Sequence, residues 1–154
     1  MIPPLKYSLR ILVIILMAMM VIVVSWQVFS RYALSAPSPW TEEMARMILI
    51  WLSFLGAAYA HSEDAHLGID LLEQSLQPAN RGRVTFVIDL VCLLFAASVL
   101  VLGGSLLVQL TWQLEQTTAV LGIPMAWVYV VLPLSGFLIC VHSVNNMLNG
   151  RKSA

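Results

Sequence analysis

Between Arg10 and Arg31 the chain runs for twenty residues, Ile11 to Ser30, without a formal charge. A helix needs about 20 such residues to cross a hydrocarbon core of about 30 Å, so this run predicts a membrane span. A secretory leader is the competing interpretation. Its apolar stretch is only about 7–15 residues long, however, whereas this run is longer and leads through Trp26 to Arg31. The span is expected to be retained. Similar runs recur along the chain, which is 60% apolar and 10% charged, against roughly 45–50% and about 25% in ordinary soluble domains. The surplus apolar surface calls for lipid as its solvent.

The second span opens with start signals: Ser38 as a cap, Pro39 at the first helical position, and Glu42 and Glu43 against the positive helix end. It is expected over residues 39–61. From Met47 to His61 there are fifteen uncharged residues, or about 22 Å of helix at 1.5 Å per residue, less than the hydrocarbon thickness. Either the bilayer thins, or Glu42, Glu43 and Arg46 sink below the headgroups under cover of protein. A third span is expected over 84–110, with Asp89 as its only charge. The fourth lies within the uncharged stretch from Gln116 to Gly150. Gly122-Ile123-Pro124 breaks that stretch, which places the span over 124–147. Pro133 then falls inside it and frees the carbonyl of Tyr129, predicting a kink. Between spans two and three, Ile69, Leu72 and Leu76 share a helical face, so a short amphipathic surface helix is expected from about Leu67 to Leu76, ending at Pro78.

These spans predict an all-α membrane protein, one four-helix domain over residues 1–154. Lys6, Arg10, Arg81, Arg83, Arg151 and Lys152 flank one side, and only Arg31 and Arg46 the other. The positive-inside rule therefore places both termini in the cytoplasm, and Trp26, Trp40, Trp112, Trp127 and Tyr129 near the outer boundary as an aromatic belt. Eight basic residues balance eight acidic ones, which removes the electrostatic case for nucleic acid. Cys92 and Cys140 sit in apolar runs without metal-ligand spacing, and no cofactor is expected. No GxSxG, glycine-rich phosphate loop or HExxH is present, so the chain is not expected to be an enzyme.

Glu42 and Glu43 stand four and three residues before Arg46, neighbours on a helix surface. They form either an interfacial salt-bridge cluster or a charged contact with a partner subunit, and the short apolar run that follows favours the partner. His61, Glu63, Asp64, His66 and Asp70 are expected to form a polar helix exit that orders the following loop. Asp89 is expected to pair at the interface, with Arg81 and Arg83 nearby. Small residues recur at helix-packing spacing: Ser53 and Ala57, Gly56 and Ala60, Ala96 and Gly103, Ala97 and Gly104, Gly136 and Cys140. They are expected to serve packing within the four-helix unit, with a second face left for a partner.

Several stretches together resemble a known family: Arg31-Tyr32; Trp40-Thr41-Glu42-Glu43-Met44-Ala45-Arg46; Trp51-Leu52-Ser53-Phe54-Leu55-Gly56-Ala57-Ala58; His66-Leu67-Gly68-Ile69-Asp70; and Leu121-Gly122-Ile123-Pro124-Met125-Ala126-Trp127-Val128-Tyr129 with Pro133. In order and spacing they are similar to the small membrane subunit of TRAP transporters, the tripartite ATP-independent periplasmic carriers. The resemblance implies a bacterial inner-membrane complex of this subunit, a large membrane subunit and a transiently docking periplasmic solute-binding protein. It implies sodium-coupled uptake of carboxylates, with the substrate and sodium sites in the large subunit and a scaffold role here. Carried onto this sequence, the contacts with the large subunit are Trp40, Glu43, Arg46, Trp51, Gly56, His66 and Asp70. Two other functions compete: a small homo-oligomeric proton-coupled exporter relying on Asp89, and a haem-binding electron-transfer subunit using His61 and His142.

Overall fold

The computed structural model describes residues 3–34, 38–63 and 78–150. Its first two helices are α1 (Pro3–Tyr32) and α2 (Pro39–Ser62). The third crossing is continuous through α3 (Pro78–Phe95), a π-helical run (Ala96–Gly103) and α4 (Gly104–Gln113). The fourth is divided into α5 (Met125–Tyr129) and α6 (Val131–Gly150). Among the described residues, four segments are long and apolar enough to cross a membrane: Lys6–Tyr32, Pro39–Ser62, Phe86–Gln113 and Met125–Leu148. The expected four-helix architecture is therefore present. The surface helix expected from Leu67 to Leu76 lies outside the described residues, as do His66 and Asp70.

α1 runs against α2 along a narrow seam. Its less exposed positions include Leu9, Val13, Leu16, Met20, Val23, Gln27 and Ser30, with Val24 beside them, an alternation of three and four that keeps one edge of a helix against a neighbour. Val23 meets Ala45 and Ile48 at one level of α2, and Leu9 belongs to a cluster with Leu55, Ala58 and Val131 that joins α1, α2 and α6. The outward side of α1 is lined by Ile14, Ile15, Val21 and Ile22. α2 starts at the expected place, but Ser38 caps with its backbone. Its carbonyl accepts the Thr41 hydroxyl at 2.6 Å, and its own side chain makes no capping bond.

The third and fourth crossings interlock through two glycines. A Cβ on Gly136 would lie 2.6 Å from Leu100 Cβ and 3.1 Å from the Val101 nitrogen, and one on Gly104 would lie 2.9 Å from Leu132 Cβ and 3.0 Å from Pro133 Cδ. The two irregular stretches, the π-helical run and the turns around Pro133, thus lie against each other. The break falls where the proline demands it: Pro133 has no N–H for the Tyr129 carbonyl, and helix assignment lapses at Val130. Val130 still keeps right-handed angles, φ −55° and ψ −27°, so the chain passes from α5 into α6 without leaving the helical region.

α4 ends in a Schellman turn. The Gln116 N–H reaches the Thr111 carbonyl at 3.2 Å and the Glu115 N–H reaches that of Trp112 at 3.1 Å, with Glu115 in the left-handed position usually held by glycine, φ 47°. The loop then closes on itself. The Thr118 N–H donates to the Ile123 carbonyl at 2.9 Å, the Met125 N–H to that of Gln116 at 2.8 Å, and the Ile123 N–H to the Thr118 hydroxyl at 3.0 Å. Gly122, at φ 64°, makes the reversal.

The two glycine environments predict opposite outcomes for one substitution. Gly136→Ala drives a methyl group into Leu100 Cβ and against the Val101 backbone and is expected to cost about 1–3 kcal/mol. Gly56→Ala enters open space and is expected to be neutral or to stabilise by up to about 1 kcal/mol through helix propensity. Thermal unfolding of the two variants in one detergent checks the contrast.

Candidate functional site

Polar side chains gather at the two ends of the bundle. At the end where α2 begins and α4 stops, Glu43 reaches out of the first turns of α2 to the loop before α5. One carboxylate oxygen accepts the Leu121 N–H at 2.7 Å and the Val120 N–H at 3.1 Å. Backbone amides have fixed direction, and an ionised acceptor makes their bonds shorter and stronger than neutral ones. Glu43 therefore ties the loop to α2 and, through it, the fourth crossing to the second.

Arg46 behaves differently. It forms an ion pair with Glu42 one turn back, 3.3 Å between Nη2 and Oε1, with both side chains about two-thirds exposed, at 70% and 66%. Trp40, Trp112 and Trp127 are also exposed at this end, where amphipathic rings suit a membrane–water boundary.

At the opposite end, α6 carries the polar run His142, Ser143 and Asn146, and each of its neighbours meets it. His61 of α2 shares a 2.8 Å hydrogen bond with the Ser143 hydroxyl through Nε2. Its ring also meets that of His142 edge to face, with centroids 5.1 Å apart. Asp89 of α3 accepts the Asn146 amide N–H at 2.8 Å, so this buried carboxylate is held by an amide on α6. His61 and Asp89 are both more than nine-tenths buried, at 5% and 7% exposure. Their interactions satisfy groups that would otherwise be costly to withdraw from water. A fourth tie joins α1 to the end of α2: Lys6 Nζ lies 3.1 Å from Glu63 Oε2. The Lys6 ammonium, with a further hydrogen bond from Tyr59, holds the Glu63 carboxyl below its ordinary value of 4.5. Its contribution is present at neutral pH and is lost as pH falls through that lowered value.

The residues singled out in the sequence thus fall into separate places. Glu43 is engaged with a loop of its own chain, and Trp51 packs beside the cluster of Leu9, Leu55, Ala58 and Val131. Trp40 is exposed at the start of α2, Arg46 is exposed one turn further on, and Gly56 has open space where a side chain would be. The histidines considered as a haem pair touch each other directly, and His61 Nε2 is occupied by Ser143. That leaves no gap for a macrocycle between the rings. Sequence reasoning missed Ser143 and Asn146, although their position beside His142 on one face of an apolar helix was a usable signal. The backbone acceptance by Glu43 had no such signal, because amides carry no sequence mark.

The family described as Tripartite ATP-independent periplasmic transporters, DctQ component, matches residues 20–153. A Haemophilus influenzae protein assigned as a TRAP transporter small permease is 29% identical over 142 residues, covering 92% of this chain and 86% of its own. The sialic acid TRAP transporter small permease protein SiaQ of Vibrio cholerae is 26% identical over 145 residues, with 91% and 79% covered. The isethionate TRAP transporter permease protein DctMQ of Oleidesulfovibrio alaskensis is 30% identical over 113 residues, which are 73% of this chain but 18% of that protein. With nearly its whole length matched in order and its four membrane-length helices in place, the chain belongs to the DctQ component family, the small permease subunits of TRAP transporters.

Proposed function

We propose that this chain is the non-catalytic scaffold subunit of a sodium-coupled, binding-protein-dependent secondary transporter that imports carboxylate solutes. Family membership and four spans make it a multi-pass protein of the bacterial inner membrane. In this assignment it is a single four-helix unit with both termini cytoplasmic. It braces a large membrane subunit and meets a periplasmic solute-binding protein only transiently, at the end carrying the loop held by Glu43. The observation that carries the scaffold role is where the polar groups go. Glu43, His61 and Asp89 are all engaged in holding one element of this chain to another. A transport site would instead present polar groups to a cavity near the bilayer midplane, on interrupted helices repeated in two halves.

The isethionate relative supports the large partner. Its homologous stretch is joined in one polypeptide to a remainder several times longer. The solute class is supported by names alone: relatives are named for sialic acid and for C4-dicarboxylate, the latter a Rhodobacter capsulatus protein 28% identical over 102 residues, 66% of this chain and 44% of its own.

Reconstitution tests the assignment. Vesicles holding this subunit alone are expected to show no solute accumulation under an inward sodium gradient, whereas vesicles also holding the large subunit, with the binding protein outside, accumulate it. Uptake by the small subunit alone would overturn the scaffold role. Glu43→Ala is expected to remove about 1–2 kcal/mol of loop stabilisation. The amides of Val120 and Leu121 would then exchange about tenfold faster with solvent while those of α6 stay protected. Hydrogen exchange read by mass spectrometry checks this.

A further inference from the structure

Four helices leave four outward faces, and three of them suit acyl chains. α1 presents Ile14, Val21 and Ile22; the third crossing presents Leu94, Val99 and Leu106; α6 presents Leu134, Phe137 and Val144. α2 differs. Its outward residues are Arg46, Leu49, Ser53, Ala57 and Ala60, with half-buried Gly56 at the edge of the same face; at 3.6 residues per turn the six fall within an arc of about 100°.

At Gly56, nothing among the described residues requires that smallness. A Cβ there would meet nothing within 4 Å, whereas Gly104 and Gly136 are each pressed against a neighbouring helix at under 3 Å. Gly103 also has room, but it ends the π-helical run and sits between exposed Leu102 and Leu106. At the outer end of the α2 face stands Arg46, paired with Glu42 yet 70% exposed. The fifteen residues from Met47 to His61 span about 22 Å, so unless the bilayer thins here a hydrocarbon layer of about 30 Å takes in that pair. A charged pair at that depth belongs under protein. Small side chains followed by a charged pair on one flank suit close approach of another helix and do not suit lipid.

On the strength of the scaffold assignment above, we propose that this flank of α2, from Arg46 to Ala60, is the surface on which a membrane helix of the large subunit packs. The partner helix lies close over Ser53, Gly56 and Ala57 and offers Arg46 an acceptor. The faces of α1, the third crossing and α6 meet lipid. Trp40 and Trp51 lie on the other side of α2, and Glu43, bordering this flank, is taken up by the loop of its own chain.

The test uses the two membrane subunits expressed together. Gly56→Leu is expected to lower the large subunit recovered per small subunit by about tenfold, as overpacking of a close helix contact does, while the thermal unfolding of the small subunit alone is unchanged. Val21→Leu on α1 serves as the lipid-facing control and leaves recovery unchanged. Independently, Leu49→benzoylphenylalanine in the otherwise wild-type complex is expected to give a photoadduct with the combined mass of both subunits. An adduct of two small subunits, or lipid adducts alone with unchanged recovery of the Gly56→Leu complex, would overturn this surface. Wild-type protein that recovers no large subunit would instead overturn the scaffold assignment itself.

Discussion

A lipid chain is as apolar as leucine, so nothing in the bilayer core drives these four helices together by excluding water. What holds them is close packing where side chains are small, and polar bonds where two helices bring donors and acceptors into register. Both are present and they are separated along the membrane normal. Gly104 and Gly136 let the third and fourth crossings touch in the middle. His61 with Ser143, Asp89 with Asn146, and Lys6 with Glu63 fasten one end, and Glu43 with the amides of Val120 and Leu121 fastens the other.

Fastening at both ends limits what the unit can do. Two helices bonded at one end alone can splay; bonded at both ends, the parallel pair of α2 and the fourth crossing keeps its angle. The irregular stretches do not act as free hinges either. The π-helical run and the turns about Pro133 lie face to face with a glycine from each side at the contact, so movement in one would meet the backbone of the other. A partner that slides or tilts in the membrane could use such a unit as a fixed reference.

Much of the architecture was legible because water and lipid sort residues coarsely. Uncharged runs marked the spans, Pro39 marked the start of α2, and Pro133 marked the break at Val130. The packing was less legible. Along α1 the seam residues Leu9, Leu16 and Val23 are of the same chemical kind as the outward Ile14, Ile15 and Val21, so a seam in an all-apolar helix leaves no hydrophobic periodicity. The small residues were expected to pack within the four-helix unit, but spacing could not say which faced inward. The fold divides them, with Ala96, Gly104 and Gly136 inside and Ser53, Ala57 and Ala60 outside. Asp89 was expected to snorkel or pair at the interface beside Arg81 and Arg83; it is buried instead and accepts from an amide 57 residues away, beyond the reach of local pattern.

The π-helical run also affects how chains of this kind can be compared. The segment Phe86–Gln113 takes 28 residues, against 24 for α2 and for the fourth crossing, and the Gly104 N–H reaches back to the Val99 carbonyl, five residues away. A wide turn consumes an extra residue for the same advance. A homologue that crosses the membrane at this place as a regular α-helix would need a gap inside the span to stay in phase. Without that gap, every assignment beyond it would be rotated by about 100° per missing residue, exchanging lipid-facing positions for buried ones.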